Sequence, residues 1–274
     1  MRILVVGIGD LGADFARRAI AAGHEVVGLR RSDRALPSGV QPLRGDAGDP
    51  SSFELPGAFD AIVYAVAADG RSDEAYARAY PLGLAGVLAA LGTEVPATTR
   101  LIFVSSTGVY GQTDGSWVDE SSPTCPSFFT GTRLLEAEQR LAATPLRGTS
   151  LRLGGIYGPG RTCLLESVRE GRATFPAKGK SWTNRVHRDD AARAILHTLE
   201  LDEPPVCLCV VDRAPTARRE VLEWLAARLG APAPRSAETG AGRPGFSDKR
   251  VRSDALVASG FEFEFPTYRE GYET

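Results

Sequence analysis

Three glycines near the amino terminus constrain the fold most. Gly7, Gly9 and Gly12 follow the pattern G-x-G-x-x-G, and they lie between a β-branched apolar run at 2–6 and a helical pattern at 13–22. In this context the first glycine permits a tight turn, the second lets the backbone approach a pyrophosphate, and the third allows close helix packing. The amino terminus of the helix also stabilises phosphate charge. The sequence therefore predicts a dinucleotide-binding site.

Patterns typical of strands and helices alternate along the rest of the chain. Strand patterns at 25–29, 61–66, 101–104, 149–153 and 206–211 alternate with helical patterns at 75–91, 133–143, 189–199 and 217–229. This alternation predicts a doubly wound parallel sheet, an α/β fold, with a small carboxyl-terminal lobe. We expect residues 1–160 to form the dinucleotide-binding core and residues 161–274 to complete the sheet and form the substrate lobe. The Ala/Pro/Gly-rich stretch 230–245 is typical of a mobile loop or lid.

The charge balance restricts the class of partner. The chain carries 32 Lys and Arg against 34 Asp and Glu, a formal net charge of -2, so no basic field favours nucleic acid or an anionic membrane. The longest apolar runs are shorter than the roughly 18–20 residues that span a bilayer, and the amino terminus enters a strand pattern without a secretory leader. We therefore expect a cytoplasmic protein with a small-molecule substrate, and we leave a homodimer open.

Four cysteines give no sign of a metal site. Cys125, Cys163, Cys207 and Cys209 show neither paired C-x-x-C spacing nor histidines at ligand spacing. Cys207 and Cys209 lie two residues apart in a strand pattern, where they share one face. We interpret them as small core residues in a reducing compartment, and we expect no bound metal.

The end of the second predicted strand bears on the choice of dinucleotide. An NAD-selective site places an acidic residue about 20 positions beyond the glycines, where it binds the ribose hydroxyls. Arg30, Arg31 and Ser32 occupy that place here, and arginine offers bidentate donors that suit a 2′-phosphate. The sequence therefore favours NADP over NAD, the alternative being a solvated basic loop. Asp46 follows the third predicted strand, where it either accepts from the adenine amino group or closes a turn.

Three further motifs carry a family resemblance. They are SSTGVYG at 105–111, the stretch from Arg152 to GPG at 158–160, and NRVHRDDAA at 184–192. Together with the glycine turn they resemble the NAD-dependent epimerase/dehydratases, the extended branch of the short-chain dehydrogenases, across nearly the whole chain. The resemblance implies that the first motif holds a catalytic hydroxyl, that the second runs past the nicotinamide ring of the cofactor, and that the third helps to build the substrate pocket. Ser106 matches the family's catalytic serine or threonine, with Thr107 beside it; alternatively, both satisfy backbone groups at a strand end.

The sequence departs from the family at its acid/base pair. The family places a tyrosine four residues before a lysine at the start of the next helix, so that the ammonium lowers the pKa of the phenol. Phe129 and Arg133 stand at those positions here, and Tyr80 is the best match for the family's asparagine in the preceding helix. Phenylalanine cannot transfer a proton. A guanidinium is effectively never deprotonated, but Arg133 still offers a cation for ribose or a phosphate oxygen.

Two functions fit this departure. In the first, the chain is an atypical oxidoreductase or epimerase/dehydratase that uses another proton donor, with Tyr80, Tyr110, His187 and water as candidates. Ordinary aromatic packing is the alternative role for the two tyrosines. In the second, the chain is a catalytically silent NADP-binding sensor that regulates a partner and needs no proton relay.

Cations in the carboxyl-terminal part indicate a class of substrate. They suit a phosphorylated, nucleotide-linked or carboxylated molecule, although ordinary surface charge explains them equally well. The residues are Arg161, Arg172, Lys178, Lys180 and Arg185.

His187 precedes Asp189 at a predicted strand-to-helix junction. Its imidazole titrates near neutrality and is a candidate acid or base, but a hydrogen bond that positions the junction is favoured. We interpret Asp189 as the cap of the helix that follows.

These observations define one candidate site. The cofactor candidates are Gly7, Gly9, Leu11, Gly12, Arg30, Arg31, Ser32, Asp46, Ala65, Val66, Ala67, Arg133 and Pro159. The catalytic candidates are Ser106 and Thr107, and the substrate candidates are Arg161, Arg185 and His187.

Overall fold

The computed structural model of the chain describes residues 1–92, 95–177, 180–237 and 248–273. The strands are β1 (Arg2–Val6), β2 (Glu25–Arg30), β3 (Val40–Arg44), β4 (Ala61–Tyr64), β5 (Arg100–Ser106), β6 (Trp117–Val118), β7 (Arg147–Leu153), β8 (Gly155–Tyr157), β9 (Thr174–Pro176), β10 (Trp182–Thr183), β11 (Arg185–His187), β12 (Cys207–Val210), β13 (Thr216–Ala217), β14 (Arg235–Ala237) and β15 (Arg250–Val251). The helices are α1 (Asp10–Ala21), α2 (Asp73–Ala77), α3 (Gly83–Leu91), α4 (Phe129–Ala142), α5 (Cys163–Arg169), α6 (Arg188–Glu200), α7 (Arg218–Leu229), α8 (Asp254–Ala258) and α9 (Tyr268–Glu273).

The central sheet has seven strands in the order β12-β7-β5-β4-β1-β2-β3, and all neighbours run parallel. Val5 in β1 pairs with Gly28 on one side and with Val63 on the other. The direction of strand succession reverses between β1 and β4, and such a switch point opens a crevice at the carboxyl ends of the strands. The predicted doubly wound α/β fold is confirmed.

Helices cover both faces of the sheet because its strands are apolar on both sides. Ile3 and Val5 pack with α1 and α6 on one face, and Leu4 and Val6 pack with α3 and α4 on the other. Alternate residues of a strand point to opposite faces, and these four are at most 1% exposed. Burying an aliphatic side chain of this size stabilises a fold by about 1.5–3 kcal/mol.

The helical segment predicted over 75–91 contains a π-helical turn. The chain forms α2, then a π-helical turn over Arg78–Leu82 that contains Pro81, and then α3. Proline has no N–H, and its ring clashes with the carbonyl four residues earlier, so regular α-helical bonding is lost here. The predicted helical segment is therefore confirmed, and the π-helical turn inside it was not predicted. Single π-helical turns of this kind are frequent at functional sites.

The start of α6 corrects a prediction. The helix begins at Arg188, and Nδ1 of His187 accepts a 3.3 Å hydrogen bond from the backbone N–H of Asp189. His187 is therefore the capping residue, and the assignment of that role to Asp189 was wrong. The favoured interpretation of His187, a hydrogen bond that positions the strand-to-helix junction, is confirmed.

A third apolar cluster organises the carboxyl-terminal part of the chain. Tyr157, Val168, Leu222 and Tyr268 join β8, α5, α7 and α9. Residues 207–210, which form β12, instead extend the central sheet beside β7. Of the predicted loop at 230–245, β14 occupies 235–237, whereas 238–245 and Lys178 lie outside the described residues. Within the described ranges, no helix is long and apolar enough to cross a membrane.

Candidate functional site

A cavity of about 1180 Å³ opens at the carboxyl edge of the sheet, around the switch point between β1 and β4. It brings together residues from the loops that follow five different sheet strands. Among the sequence-predicted residues, its lining includes Gly7, Gly9, Leu11, Arg30, Arg31, Ser32, Asp46, Ala65, Val66, Ala67, Ser106 and Arg161. Gly12, Thr107, Arg133, Pro159, Arg185 and His187 are not part of the lining.

The glycine turn has the geometry that its sequence predicts. Gly7 has φ +93°, and a Cβ there would lie 2.8 Å from the carbonyl oxygen of Ala65. A Cβ on Gly12 would overlap the carbonyl oxygen of Gly7, whereas a Cβ on Gly9 would meet nothing within 4 Å. Gly9 is also the N-cap of α1 and supplies no side chain to its first turn. The first backbone N–H groups of α1 are therefore available to an anion.

Arg30 and Arg31 lie at one end of the cavity but differ in their contacts. Arg30 donates through Nη1 to the carbonyl oxygen of Arg34 (2.6 Å) and through Nη2 to Oγ of Ser32 (2.7 Å). Its Nε is buried and has no partner among the described residues. Arg31 instead forms an ion pair with Asp69, which also lines the cavity. Arg30 thus stabilises the conformation of the loop that follows β2, whereas Arg31 extends across the cavity to Asp69.

Asp46 combines a place in the cavity lining with a role in a turn. Its Oδ1 accepts from the backbone N–H of Gly48 (2.9 Å), and its Oδ2 pairs with Nη2 of Arg78 (2.7 Å). Burial opposes ionisation of this carboxyl, but the hydrogen bonds from Gly48 and Arg78 outweigh it and lower its pKa. The turn interpretation of Asp46 is confirmed by the bond to Gly48, and an adenine contact stays a prediction.

Ser106 ends β5 at the opposite end of the cavity from the basic loop. Its Oγ accepts a 3.1 Å hydrogen bond from the backbone N–H of Gly108, which leaves the hydroxyl proton free to donate. Thr107 next to it is buried and 8% exposed. Of these two residues, Ser106 is the one that lines the cavity.

A buried polar network that the sequence analysis missed supports this strand end. Oγ of Ser105 donates to Oε1 of Glu138 (2.6 Å), and Arg152 pairs with Oε2 of Glu138 at 2.7 Å. Arg152 also donates to the hydroxyl of Tyr110 (2.8 Å). The network joins β5, β7 and α4. The sequence gives no local signal for it, because Glu138 and Arg152 fall in separate elements.

Phe129 and Arg133 stand where the family has its acid/base tyrosine and lysine, and both contact other side chains of the protein. Phe129 opens α4 and packs edge-on against Tyr76 with ring centroids 5.5 Å apart. Arg133 forms hydrogen bonds to both carboxylate oxygens of Asp73 (2.8 and 2.7 Å) and to Glu136 (2.9 Å). The Arg133 guanidinium lowers the pKa of Asp73. Arg133 is thus engaged by two carboxylates rather than directed into the cavity.

Tyr80 is one of two tyrosines that line the cavity, and the hydroxyl of the other, Tyr64, donates to the carbonyl oxygen of Ala79 at 2.6 Å. Tyr80 lies on the π-helical turn and packs edge-on against Phe103 of β5, with ring centroids 6.4 Å apart. Burial raises the pKa of Tyr80 to about 12. The side chain is therefore a neutral hydrogen-bond donor throughout the physiological pH range.

The three substrate candidates occupy different environments. Arg161 lines the cavity, and its Nε pairs with Oδ2 of Asp10 in the first turn of α1 at 2.7 Å. Arg185 is 8% exposed and donates to the hydroxyl of Thr183. His187 is buried against the ring of Phe265, with centroids 3.8 Å apart, and burial lowers its pKa. Of the three, Arg161 alone faces the cavity.

The fold and the glycine turn together define a dinucleotide-binding protein of the Rossmann type. The sequence model of the NAD dependent epimerase/dehydratase family matches residues 3–206. The chain therefore belongs to this family, as its motifs predicted.

Several curated sequences and solved structures are similar over most of the chain. Protein YeeZ of Escherichia coli K12 is 30% identical, over 97% of this chain and 96% of its own length. The 3-diazoavenalumate denitrifying reductase of a Streptomyces species is 29% identical, over 86% of this chain and 84% of its own length. A structure described as a "putative NAD-dependent epimerase/dehydratase" from Methylobacillus flagellatus is 36% identical, with a TM-score of 0.80 and coverage of 99% of this chain and 96% of its own.

A more distant structure shares the fold. The human epimerase family protein SDR39U1, solved with NADPH, has a TM-score of 0.80 at 22% identity and covers 99% of this chain and 97% of its own.

Proposed function

We propose that this protein is an NADP-dependent oxidoreductase that acts on a small molecule without the Tyr/Lys pair of its family. The observation that carries the proposal is the single cavity that runs from Arg30 and Arg31, past the glycine turn, to Ser106. The named reductase among its relatives supports the oxidoreductase class, and the NADPH in the human neighbour supports a nicotinamide cofactor.

The residues of the cavity fit such a cofactor. A side chain at Gly7 or Gly12 would clash with neighbouring backbone. At Gly9 there is open space, so a pyrophosphate can reach the first turn of α1. The unpartnered Nε of Arg30 and the guanidinium of Arg31 supply donors where a 2′-phosphate is expected. We infer that these groups hold the dinucleotide.

Ser106 is the group that we assign to the reacting oxygen of the substrate. Because its Oγ already accepts from Gly108, its proton is directed to another acceptor, and a carbonyl or alkoxide oxygen of the substrate is such an acceptor. The bound nicotinamide supplies or accepts the hydride. Phe129 transfers no proton, so proton transfer involves Tyr80 or water. The neutral phenol of Tyr80 is a donor at physiological pH.

Arg161 indicates the class of substrate. It is a cation of the cavity wall contributed by the carboxyl-terminal part of the chain, and it lies beyond β8 next to the first turn of α1. A substrate with a phosphate or carboxylate group is the class that it would bind.

Calorimetric titration with NADPH and NADH tests the cofactor assignment, and NADPH oxidation over a panel of carbonyl substrates tests turnover. We expect NADPH to bind more tightly than NADH, and Arg31→Ala to remove that preference. We also expect Ser106→Ala to lower kcat by about 10²-fold or more while leaving NADPH affinity within about twofold. Absence of binding of either dinucleotide would overturn the proposal.

The contacts of Arg133 favour a second candidate function, a cofactor-binding sensor without catalysis. With Phe129 in place of the tyrosine and Arg133 held by Asp73 and Glu136, the site lacks the proton relay of its family. Tight NADPH binding with no NADPH oxidation over the panel, in both the wild type and Ser106→Ala, would support the sensor over the enzyme.

A further inference from the structure

An ion pair crosses the basic end of the cavity. Arg31 follows β2 directly, and its partner Asp69 lies in the segment between β4 and α2. Strands β2 and β4 flank β1 on opposite sides, so the pair spans the crevice at the switch point. Both residues line the cavity. A ligand that uses the Arg31 guanidinium must therefore displace the carboxylate of Asp69 or share the cation with it.

Arg30, the preceding residue, is not free in the same way. Arg30 is committed to the carbonyl oxygens of Arg34 and Ala35 and to the hydroxyl of Ser32. The side chain of Arg31 is 48% exposed and that of Asp69 is 65% exposed. Ion pairs with this exposure are weak and exchange readily. Of these two arginines, Arg31 is thus the one whose partner can change when an anion enters.

Asp69 differs from the other acid at this end of the cavity. Asp46 is held by a backbone N–H as well as by Arg78, and it forms part of a turn. For Asp69, Arg31 is the sole partner found within the described part of the chain. Its carboxylate therefore has no structural commitment apart from this cation.

We propose that Asp69 is a specificity-determining residue, which competes with the 2′-phosphate of NADP for Arg31 and so limits the preference for NADP over NAD. The inference rests on the proposed function. A phosphate monoester binds arginine through charge-assisted bidentate hydrogen bonds, and a neighbouring carboxylate both occupies those donors and repels the phosphate. NAD carries a hydroxyl at this position, so its binding leaves the Arg31–Asp69 pair intact.

Asp69→Asn is the variant that tests the inference. In calorimetric titrations at low salt we expect NADPH to bind about threefold to tenfold more tightly than to the wild type, and NADH affinity to change by less than about twofold. The gain should shrink at 0.5 M NaCl, because salt screens exposed charges.

Asp33→Asn is the matched control. Asp33 is equally exposed, pairs with Arg44 at 2.7 Å, and lies outside the cavity lining. The change alters the net charge by the same amount without touching Arg31. We expect NADPH affinity to stay within about twofold of the wild type.

A double-mutant cycle separates competition for Arg31 from general repulsion. In the Arg31→Ala background the effect of Asp69→Asn on NADPH affinity should fall below about twofold, and Asp69→Glu should restore wild-type behaviour. The inference alone would be overturned if Asp69→Asn raised NADPH affinity equally in the Arg31→Ala background, or if Asp33→Asn raised NADPH affinity as much as Asp69→Asn does. It would also be overturned if NADPH bound Asp69→Asn no more tightly than it binds the wild type. If the wild type binds no NADPH, the proposed function fails, and the inference fails with it.

Discussion

Oγ of Ser105 lies 2.6 Å from Oε1 of Glu138, so the strand that ends in Ser106 is tied to α4 by a buried hydrogen bond. The same carboxylate pairs with Arg152, and both side chains of that pair are less than 10% exposed. The buried Glu138–Arg152 pair therefore holds the end of β5, which carries the candidate catalytic hydroxyl of Ser106, against α4.

Removal of one charge from this pair should destabilise the fold strongly. Glu138→Gln leaves the Arg152 guanidinium buried without its counter-charge, and such losses cost about 3–5 kcal/mol. Urea unfolding measures the difference. Glu136→Gln, two residues earlier on α4 and paired with Arg133 near the surface, is the control, with an expected loss of about 0–1 kcal/mol. Equal losses in the two variants would show that the buried pair has no special role.

Gly7→Ala should impair cofactor binding as well as stability. The positive φ of Gly7 strains any other residue by about 1–3 kcal/mol, and the added Cβ would press on Ala65 in the cavity wall. We expect NADPH affinity to fall by at least about tenfold, or 1.4 kcal/mol. Gly23→Ala carries the same backbone strain at φ +84° but meets nothing within 4 Å, so it should lower stability alone. Unchanged NADPH binding in Gly7→Ala would contradict the assignment of the turn.

Substitution of Arg161 should change the binding affinities for NADPH and NADH to the same extent. Arg161 neutralises Asp10 in the first turn of α1, where the pyrophosphate common to NAD and NADP is expected. Arg161→Ala should weaken NADPH and NADH binding alike, by about threefold to tenfold, and Asp10→Asn in the same chain should reverse the loss. Arg172→Ala, at an exposed residue paired with Glu170 outside the cavity lining, is the control. A loss confined to NADPH would contradict this placement of the pyrophosphate.

Stability should fall towards acid partly because of His187. Burial lowers its pKa below the ordinary value of 6.5, despite the opposing influence of Asp189 and Asp190. As the pH falls through 6.5, the unfolded chain takes up a proton that the folded chain resists, so the free energy of unfolding decreases. His187→Asn keeps a capping acceptor and removes the titrating group. In urea unfolding, the free energy of unfolding of His187→Asn should fall less between pH 7.5 and pH 5 than that of the wild type. An equal fall in the two proteins would contradict this role.

The sequence predicted those features that depend on neighbouring residues. The glycines of the first turn, the alternation of strands and helices, and the Ser106 segment are each encoded within a few positions, so their patterns could be interpreted directly. Pro81 carried a signal for a break in regular α-helical bonding within 75–91, since proline lacks an N–H, but helical periodicity alone concealed it. The cap of α6 was misassigned because histidine is a less common capping residue than aspartate.

The features that escaped prediction depend on contacts between distant segments. Glu138 and Arg152 come together because α4 packs against β5 and β7, and Asp69 meets Arg31 because β2 and β4 flank the same strand. Similarly, the commitment of Arg133 to Asp73 arises from the docking of α2 on α4. No local pattern distinguishes these charges from solvated surface residues.

A crystal structure of the protein with NADPH would locate the cofactor. We expect the pyrophosphate at the amino terminus of α1 beside Gly9, the 2′-phosphate on the guanidinium of Arg31, and the nicotinamide at the end of the cavity that holds Ser106. A dinucleotide bound outside this cavity, or one whose 2′-phosphate contacts neither Arg30 nor Arg31, would contradict this expectation.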